Sequence, residues 1–186
     1  MSELGVVDRP KRLVTQYDLF CSACSHKSCC TVMPGAFVGS SDAERIKLAG
    51  YDLKVVIEER TNGENRFRVL KKKSGACIFW NPDTQACTVY RHRPFDCFLF
   101  PFDIILVEGV YRWMVYECNG DQPWCNLDEM LEMIENMPEF VELCKEIHEY
   151  ATYQDELVLK RYNRRLLRPV RLPQVALAVN AQKVSS

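Results

Sequence analysis

The sequence predicts an α+β fold, in which a small, irregular, cysteine-rich domain with short hairpins is followed by two C-terminal helices. Three observations lead to this prediction. Short apolar segments alternate with turn formers between residues 20 and 125, and helical periodicity begins only at Asn126. Hydrophobic residues make up 47% of the 186 residues, which is enough to bury a core. This length favours one domain with an extension over two full domains.

Helices are expected in two places. Ser41-Asp42-Ala43-Glu44 is a capping box and Gly50 is a suitable stop, so a short helix should cover residues 42–49. After Asn126, apolar residues recur at helical intervals without glycine, and Pro138 should divide this region into two helices.

Two β-hairpins are expected in the cysteine-rich part. Asn62-Gly63 and Glu108-Gly109 supply residues that tolerate positive φ angles, as tight hairpin turns require. The flanking strands are Leu53–Arg60 and Asn65–Lys71 for the first hairpin, and Ile104–Val107 and Val110–Tyr116 for the second. We therefore divide the chain into an N-terminal arm (1–19), a cysteine-cluster metal-binding domain (20–125), a C-terminal helical extension (126–167) and a flexible tail (168–186).

The charge balance limits the partners of the chain. There are 24 basic and 25 acidic residues, so a nucleic-acid interface over the whole surface is excluded, and a nucleic-acid contact is open only to the basic segment 160–171. Charges interrupt every apolar run, so no membrane span is expected. The first residues resemble no signal peptide, which predicts a cytoplasmic location. In a reducing cytoplasm, clustered cysteines favour metal ligands or redox groups over disulfides.

The ten cysteines carry the chemistry of the sequence. Polar residues surround an N-terminal group, which makes core burial a poor explanation for it. A later set lies at the edges of apolar segments beside turn formers, where thiols converge easily. Together these two groups form the predicted metal site: Cys21, Cys24, Cys29, Cys30, Cys77, Cys87, Cys97 and Cys118.

Several assignments remain open at this stage. Adjacent Cys29 and Cys30 should diverge, so they would serve different ions, or one of them would stay free. Cys144 lies among apolar helical residues and is expected in the core. The spacing permits zinc ions, iron ions or an iron–sulfur cluster, because eight thiolates suit two four-cysteine sites. Cys125 and His26 keep no definite role, while Arg93 is either a group that tunes the site or part of a structural ion pair.

The cysteine pattern resembles the YkgJ-type cysteine-cluster family, which is described as a candidate zinc- or iron-chelating domain. The resemblance covers about 100 residues, from Phe20 to Gly120. Its motifs are the opening group Cys21, Cys24, Cys29 and Cys30, then Gly75-Ala-Cys77-Ile-Phe79, Cys87-Thr-Val89-Tyr90, Arg93-Pro94, Cys97, Phe100-Pro101 and Cys118-Asn-Gly120. Two features differ from the usual pattern: four residues separate Cys24 from Cys29, and Phe98 stands where an arginine is common.

Three functions are compatible with these observations. The first is a metal-binding protein that holds an iron–sulfur cluster or zinc or iron ions, with a redox or maturation role. The second, implied by the resemblance, is a cluster-dependent enzyme that modifies a side chain of a protein substrate, as flagellin lysine methylases do. The third is a structural zinc module that presents its basic tail to a protein partner. No catalytic triad, phosphate loop or nucleotide fingerprint occurs, so no catalytic residue is assigned.

Overall fold

The structure is a computed structural model that describes residues 28–31, 34–116, 126–157 and 163–173. This part of the chain contains helices and small antiparallel sheets, which confirms the α+β class. It forms two compact units that meet in sequence between Phe100 and Pro101. This border differs from the compositional one at 125/126, because the hairpin of residues 102–116 shares a sheet with a strand near the C-terminus.

The first unit is built from short elements. Its helices are α1 (Ser28–Thr31), α2 (Ser40–Leu48), α3 (Leu53–Val56) and α4 (Phe95–Leu99), with a 3-10 helix at Tyr90–His92. Its strands are β1 (Ile57–Asn62), β2 (Asn65–Leu70), β3 (Lys72–Lys73), β4 (Ala76–Cys77), β5 (Trp80–Asn81) and β6 (Ala86–Cys87). Within the described residues these strands pair as β1–β2, β3–β4 and β5–β6, all antiparallel.

Helix α2 confirms the predicted helix, but its cap is different. The helix begins two residues before the predicted start, and its N-cap is Gly39, whose N–H donates to the Asp42 carboxylate at 3.1 Å. The predicted box used Ser41 and Glu44 instead. Asp42 takes this role because its carboxylate is buried and also accepts a hydrogen bond from the Phe95 N–H, whereas Glu44 is exposed.

The first hairpin forms, but its first strand is shorter than predicted. Asn62 pairs with Asn65 across a turn whose central residues are Gly63-Glu64. Leu53–Val56 is a helical turn rather than the start of a strand, because the carboxylate of Asp52 caps it and so stabilises the helical conformation.

A small hydrophobic core holds the first unit together. Its buried residues come from α2, α3, β2 and the segments next to the short hairpins: Val38, Ala43, Ile46, Val56, Leu70, Phe79 and Val89. Cys77, Cys87 and Cys97 are partly buried and pack against this core. Three of the predicted ligands therefore contact this core.

In its described residues, the second unit combines a sheet with three helices. The strands β7 (Phe102–Val107), β8 (Val110–Tyr116) and β9 (Arg164–Pro169) form an antiparallel sheet in the order β7-β8-β9. The helices are α5 (Leu127–Glu135), α6 (Pro138–Cys144) and α7 (Ile147–Leu157), and α7 packs on β7. Both turn residues of the β7–β8 hairpin, Glu108 and Gly109, have positive φ, which confirms the predicted second hairpin.

The C-terminal region differs from its prediction in two respects. It contains three described helices instead of two, although Pro138 does begin a helix as expected. Residues 164–169 form a strand rather than the end of a helical extension, because they pair with β8. At the start of the expected loose tail, Arg168 binds Glu135, the Val170 N–H donates to the carbonyl of Tyr111, and the Arg171 N–H donates to Glu135. No described helix is long and apolar enough to cross a membrane.

Candidate metal centre

Cys29 and Cys30 lie together in the one-turn helix α1. Their Sγ atoms are 3.9 Å apart, and Cys29 is the more exposed of the two. The expectation that the two adjacent side chains diverge is therefore wrong, because this turn of backbone directs both sulfurs toward the same region.

Two short hairpins present Cys77 and Cys87 in the same way. Each cysteine ends the second strand of its hairpin, opposite Lys72 in one case and Trp80 in the other. The backbone N–H two residues later, that of Phe79 or Val89 respectively, acts to lower the pKa of each thiol. Phe79 and Val89 are themselves buried in the core. A buried residue thus carries the N–H group that acts on each thiol.

Cys97 is the third residue of helix α4. Its neighbours Phe95, Phe98 and Leu99 are buried, and two carboxylates hold the start of the helix. The Phe95 N–H donates to Asp42 at 3.0 Å, and Asp96 accepts a hydrogen bond from the Phe37 N–H at 2.7 Å. The position of Cys97 therefore depends on contacts with a segment far away in the sequence.

The thiols from these four elements influence one another electrostatically. The pKa of Cys97 is raised well above its usual value, first by burial and then by the charges of Asp96, Cys77 and Cys87. Burial also raises the pKa of Cys77 and of Cys87, and the charge of Cys29 adds to both shifts. Because Coulomb interactions weaken with distance, these couplings indicate that the thiols lie in one neighbourhood.

The adjacent pair has opposite pKa shifts. The hydrogen bond from Cys30, followed by smaller contributions that include the charge of Arg93, lowers the pKa of Cys29 to about 7, although burial opposes this shift. The same hydrogen bond raises the pKa of Cys30, and burial and the charges of nearby thiols add to the effect. Cys29 is therefore the member of the pair that ionises first.

Arg93 supplies positive charge beside these thiols. Its side chain is 8% exposed, and its guanidinium carbon lies 3.9 Å from the ring centroid of Tyr90 and 5.7 Å from that of Phe98. Its charge lowers the pKa of Cys29, Cys87 and Cys97. Arg93 is thus a stacked cation close to the thiols, which supports the tuning role considered from the sequence.

The structure describes only part of the predicted ligand set. Cys29, Cys30, Cys77, Cys87 and Cys97 all belong to the first unit, whereas Cys21, Cys24 and Cys118 lie outside the described residues, as do His26 and Cys125. Among the described residues, no three Cys, His, Asp or Glu side chains are grouped so that they could hold a metal ion. The eight-ligand site therefore remains a prediction.

Sequence reasoning missed two residues of this region. Asp42 was identified only as part of a helix cap, although its carboxylate also binds the start of the Cys97 helix. Tyr90 stands in the sequence only as part of the Cys87-Thr-Val89-Tyr90 motif, which does not predict its stacking with Arg93. The capping pattern was the only signal for Asp42, because a hydrogen bond between positions 42 and 95 leaves no local mark in a sequence.

Comparison with known proteins places the chain in a family. The model of the CxxCxxCC family, described as "Putative zinc- or iron-chelating domain", matches residues 20–126. A protein from Methanocaldococcus jannaschii, named "Uncharacterized protein MJ0661", is 32% identical over 84 residues, which cover 40% of this chain and 46% of that protein. The chain thus spans about half the length of this curated relative. No solved structure matches the chain.

The family match agrees with the resemblance seen in the cysteine motifs. It includes every cysteine predicted as a ligand and supports zinc or iron binding as the general chemistry of this region. Because the match extends over more than half of the sequence, the chain belongs to the CxxCxxCC family.

Proposed function

We propose that this protein binds zinc or iron through a centre of cysteine thiolates in its cysteine-rich part. The proposed ligands are Cys21, Cys24, Cys29, Cys30, Cys77, Cys87, Cys97 and Cys118. One observation carries the proposal: the five described thiols of this set come from four separate elements and shift one another's pKa. Three of them, Cys77, Cys87 and Cys97, also pack against the core of the first unit.

The chemistry of the donor set fits zinc and iron. Both metals accept thiolate sulfur, and sites with four cysteines are common for zinc ions and for iron–sulfur clusters. The remaining ligands of a complete site would come from Cys21, Cys24 and Cys118. An iron–sulfur cluster would supply electron transfer, whereas zinc would supply structural stabilisation.

Several groups of the chain oppose the rise in thiol pKa that burial causes in this region. The N–H groups of Phe79 and Val89 act to lower the pKa of Cys77 and Cys87, because they stabilise a charged sulfur. Arg93 adds a positive charge near three of the thiols. Burial has the opposite effect, so metal binding must displace protons from the more buried cysteines.

The proposal extends to the form of the metal and the location of the protein. We favour an iron–sulfur cluster or zinc or iron ions with a redox or maturation role, in the cytoplasm. The six described cysteines are free thiols, as a reducing compartment would keep them.

Metal analysis of anaerobically purified protein tests this function. We expect bound iron with acid-labile sulfide and a visible absorption spectrum for a cluster, or colourless protein with bound zinc. Changing Cys77, Cys87 or Cys97 to serine should lower the metal content, because each change removes a thiolate ligand. Cys144→Ser is the control, since Cys144 is buried in α6 outside the proposed site. Equal metal content in all four variants would contradict the proposal.

A further inference from the structure

Asp42 connects two elements of the first unit without being a predicted ligand. It lies in helix α2 and is 3% exposed. One carboxylate oxygen accepts a hydrogen bond from the Gly39 N–H at 3.1 Å. The other accepts a hydrogen bond from the Phe95 N–H at 3.0 Å and pairs with the guanidinium of Arg45. Of these contacts, only the hydrogen bond from the Gly39 N–H belongs to the cap of α2.

The contact with Phe95 reaches the helix that carries Cys97. Helix α4 has five residues, and a helix of this length is not stable by itself, so tertiary contacts must determine where it lies. Phe95 is its first residue, and Cys97 follows two positions later. The N–H groups at the start of a helix have no partner within the helix, and Asp42 supplies one for Phe95.

Groups at both helices bind the buried carboxylate of Asp42: the Gly39 N–H and Arg45 at α2, and the Phe95 N–H at α4. Burial raises the pKa of its carboxyl group, while Arg45 and the two N–H donors oppose that shift. A buried carboxylate that accepts bonds from α2 and α4 resists movement of one helix against the other, because such movement would leave polar groups without partners.

We propose that Asp42 is a positioning residue of the metal centre: its hydrogen bond to the Phe95 N–H holds α4 so that the Cys97 sulfur reaches the metal. This inference rests on the proposed function, because Cys97 must be a ligand. In this role Asp42 acts through Cys97, because its carboxylate is bound by the Gly39 and Phe95 N–H groups and by Arg45.

A double-mutant cycle separates this role from general stabilisation. Zinc affinity would be measured by competition with a chromophoric chelator for the wild type, Asp42→Ala, Cys97→Ser and the double variant. We expect Asp42→Ala to weaken zinc binding by roughly 10- to 100-fold, the usual effect of losing a residue that orients a ligand. In the Cys97→Ser background, the same change should have little further effect, because the ligand that it positions is already absent.

Two variants control for the cap and for the charge. Asp52 is also an aspartate N-cap in this unit, but it is exposed and caps α3 through the Lys54 N–H at 2.9 Å. Asp52→Ala should therefore leave zinc affinity unchanged. Asp42→Asn keeps an oxygen acceptor for the Phe95 N–H and should retain more affinity than Asp42→Ala. If Asp42→Ala fails to fold, Asp42→Leu, which also lacks an acceptor for the Phe95 N–H, takes its place in the cycle.

Hydrogen exchange gives a readout that does not depend on zinc. The Phe95 amide should exchange faster in Asp42→Ala than in the wild type, whereas the Lys54 amide should not. Effects on zinc affinity that add in the double variant would overturn the positioning role, since Asp42 would then act independently of Cys97. Equal zinc binding by the wild type and Cys97→Ser would instead overturn the assignment of Cys97 as a ligand, on which the inference rests.

Discussion

The cysteines of this chain differ in their surroundings, and their chemistry differs accordingly. Cys144 is fully buried in α6, and burial, together with the nearby charge of Glu135, raises its pKa to about 12. It acts as a small apolar side chain, which confirms its predicted place in the core. Cys29 is exposed, and the hydrogen bond from Cys30 lowers its pKa. The same residue type is therefore inert at one position and reactive at the other.

Cys29 should be the most reactive of the five described thiols of the proposed site. In metal-free, reduced protein we expect iodoacetamide to alkylate Cys29 first near neutral pH, because its pKa is about 7 and the thiolate is the nucleophile. Burial raises the pKa of Cys77, Cys87 and Cys97, so these thiols should react later. Peptide mass mapping over a range of pH would give the rate at each site.

Arg93 provides a further comparison for this prediction. Arg93→Met should slow the alkylation of Cys29 near pH 7, because the change removes a charge that stabilises the thiolate. Arg91→Met is the matched control, since Arg91 is exposed and does not contribute to the shift at Cys29. A uniform alkylation rate at all five thiols would contradict the prediction.

At the scale of secondary structure elements, Glu135 joins three parts of the second unit. Its carboxylate accepts hydrogen bonds from the Arg168 guanidinium at 2.8 Å on both oxygens, from the Trp113 Nε1–H at 2.8 Å and from the Arg171 N–H at 2.9 Å. Helix α5, strand β8 and the segment that includes β9 thus share one acceptor. Because Arg168 binds this carboxylate, part of the basic segment 160–171 makes contacts within the protein.

The stability of the second unit should depend on the charge of Glu135. Burial alone would raise its pKa, but the bonds from Arg168, Arg171 and Trp113 outweigh this effect, so the pKa lies below its usual value. The stabilisation is therefore complete above the unfolded-state pKa of about 4.3 and is lost as the pH falls through the folded-state value. Glu135→Gln should lower the free energy of unfolding near neutral pH by about 1–3 kcal/mol.

Urea unfolding at several pH values, followed by far-UV circular dichroism, would measure this effect. The difference in unfolding free energy between wild type and Glu135→Gln should shrink in acid, because the wild-type carboxylate is then protonated. Glu132→Gln is the control: Glu132 is exposed and lies 3.3 Å from Arg171, so its ion pair should contribute little. If the difference in unfolding free energy stays constant down to pH 3, the stabilising role of the Glu135 charge is refuted.

Local patterns account for some of these elements and not for others. The β7–β8 hairpin was predictable because Glu108 and Gly109 determine its turn locally. β9 was not, since Arg164–Pro169 becomes a strand only through pairing with β8. The cysteine spacing likewise indicated which thiols to consider, and five of them do lie in the same unit. The link from Asp42 to the Cys97 helix was invisible, because it joins residues that are distant in sequence.

At the scale of the whole molecule, the two units differ in the elements that build their cores. The first unit buries Phe95 and Phe98, but its hydrophobic core comes from short elements and has three cysteines at its edge. The second unit buries Trp113, Tyr116, Phe140 and Tyr150 fully, and Trp113 stacks on Phe140 with ring centroids 5.6 Å apart. Small domains with little regular structure commonly rely on a metal for stability, so we expect the stability of the first unit to depend on metal more than that of the second.

Metal removal should therefore affect the two units unequally. We expect chelation to increase amide hydrogen exchange in peptides from residues 34–100, because free thiolates repel one another and α4 and the short hairpins lose a common attachment point. Peptides from residues 126–157 should keep their protection, since α5, α6 and α7 carry their own buried side chains. Hydrogen exchange followed by mass spectrometry, with and without chelator, measures the protection of both units in the same protein.

The metal-depleted Cys97→Ser variant provides the reference for this experiment. Its exchange pattern should change little when chelator is added, because the site is already impaired, whereas Cys144→Ser should respond as the wild type does. Equal loss of protection in both units would show that the metal stabilises the molecule as a whole, and no loss in either unit would show that the fold does not need it. A response confined to the first unit is the outcome that its short strands, small core and gathered thiols predict.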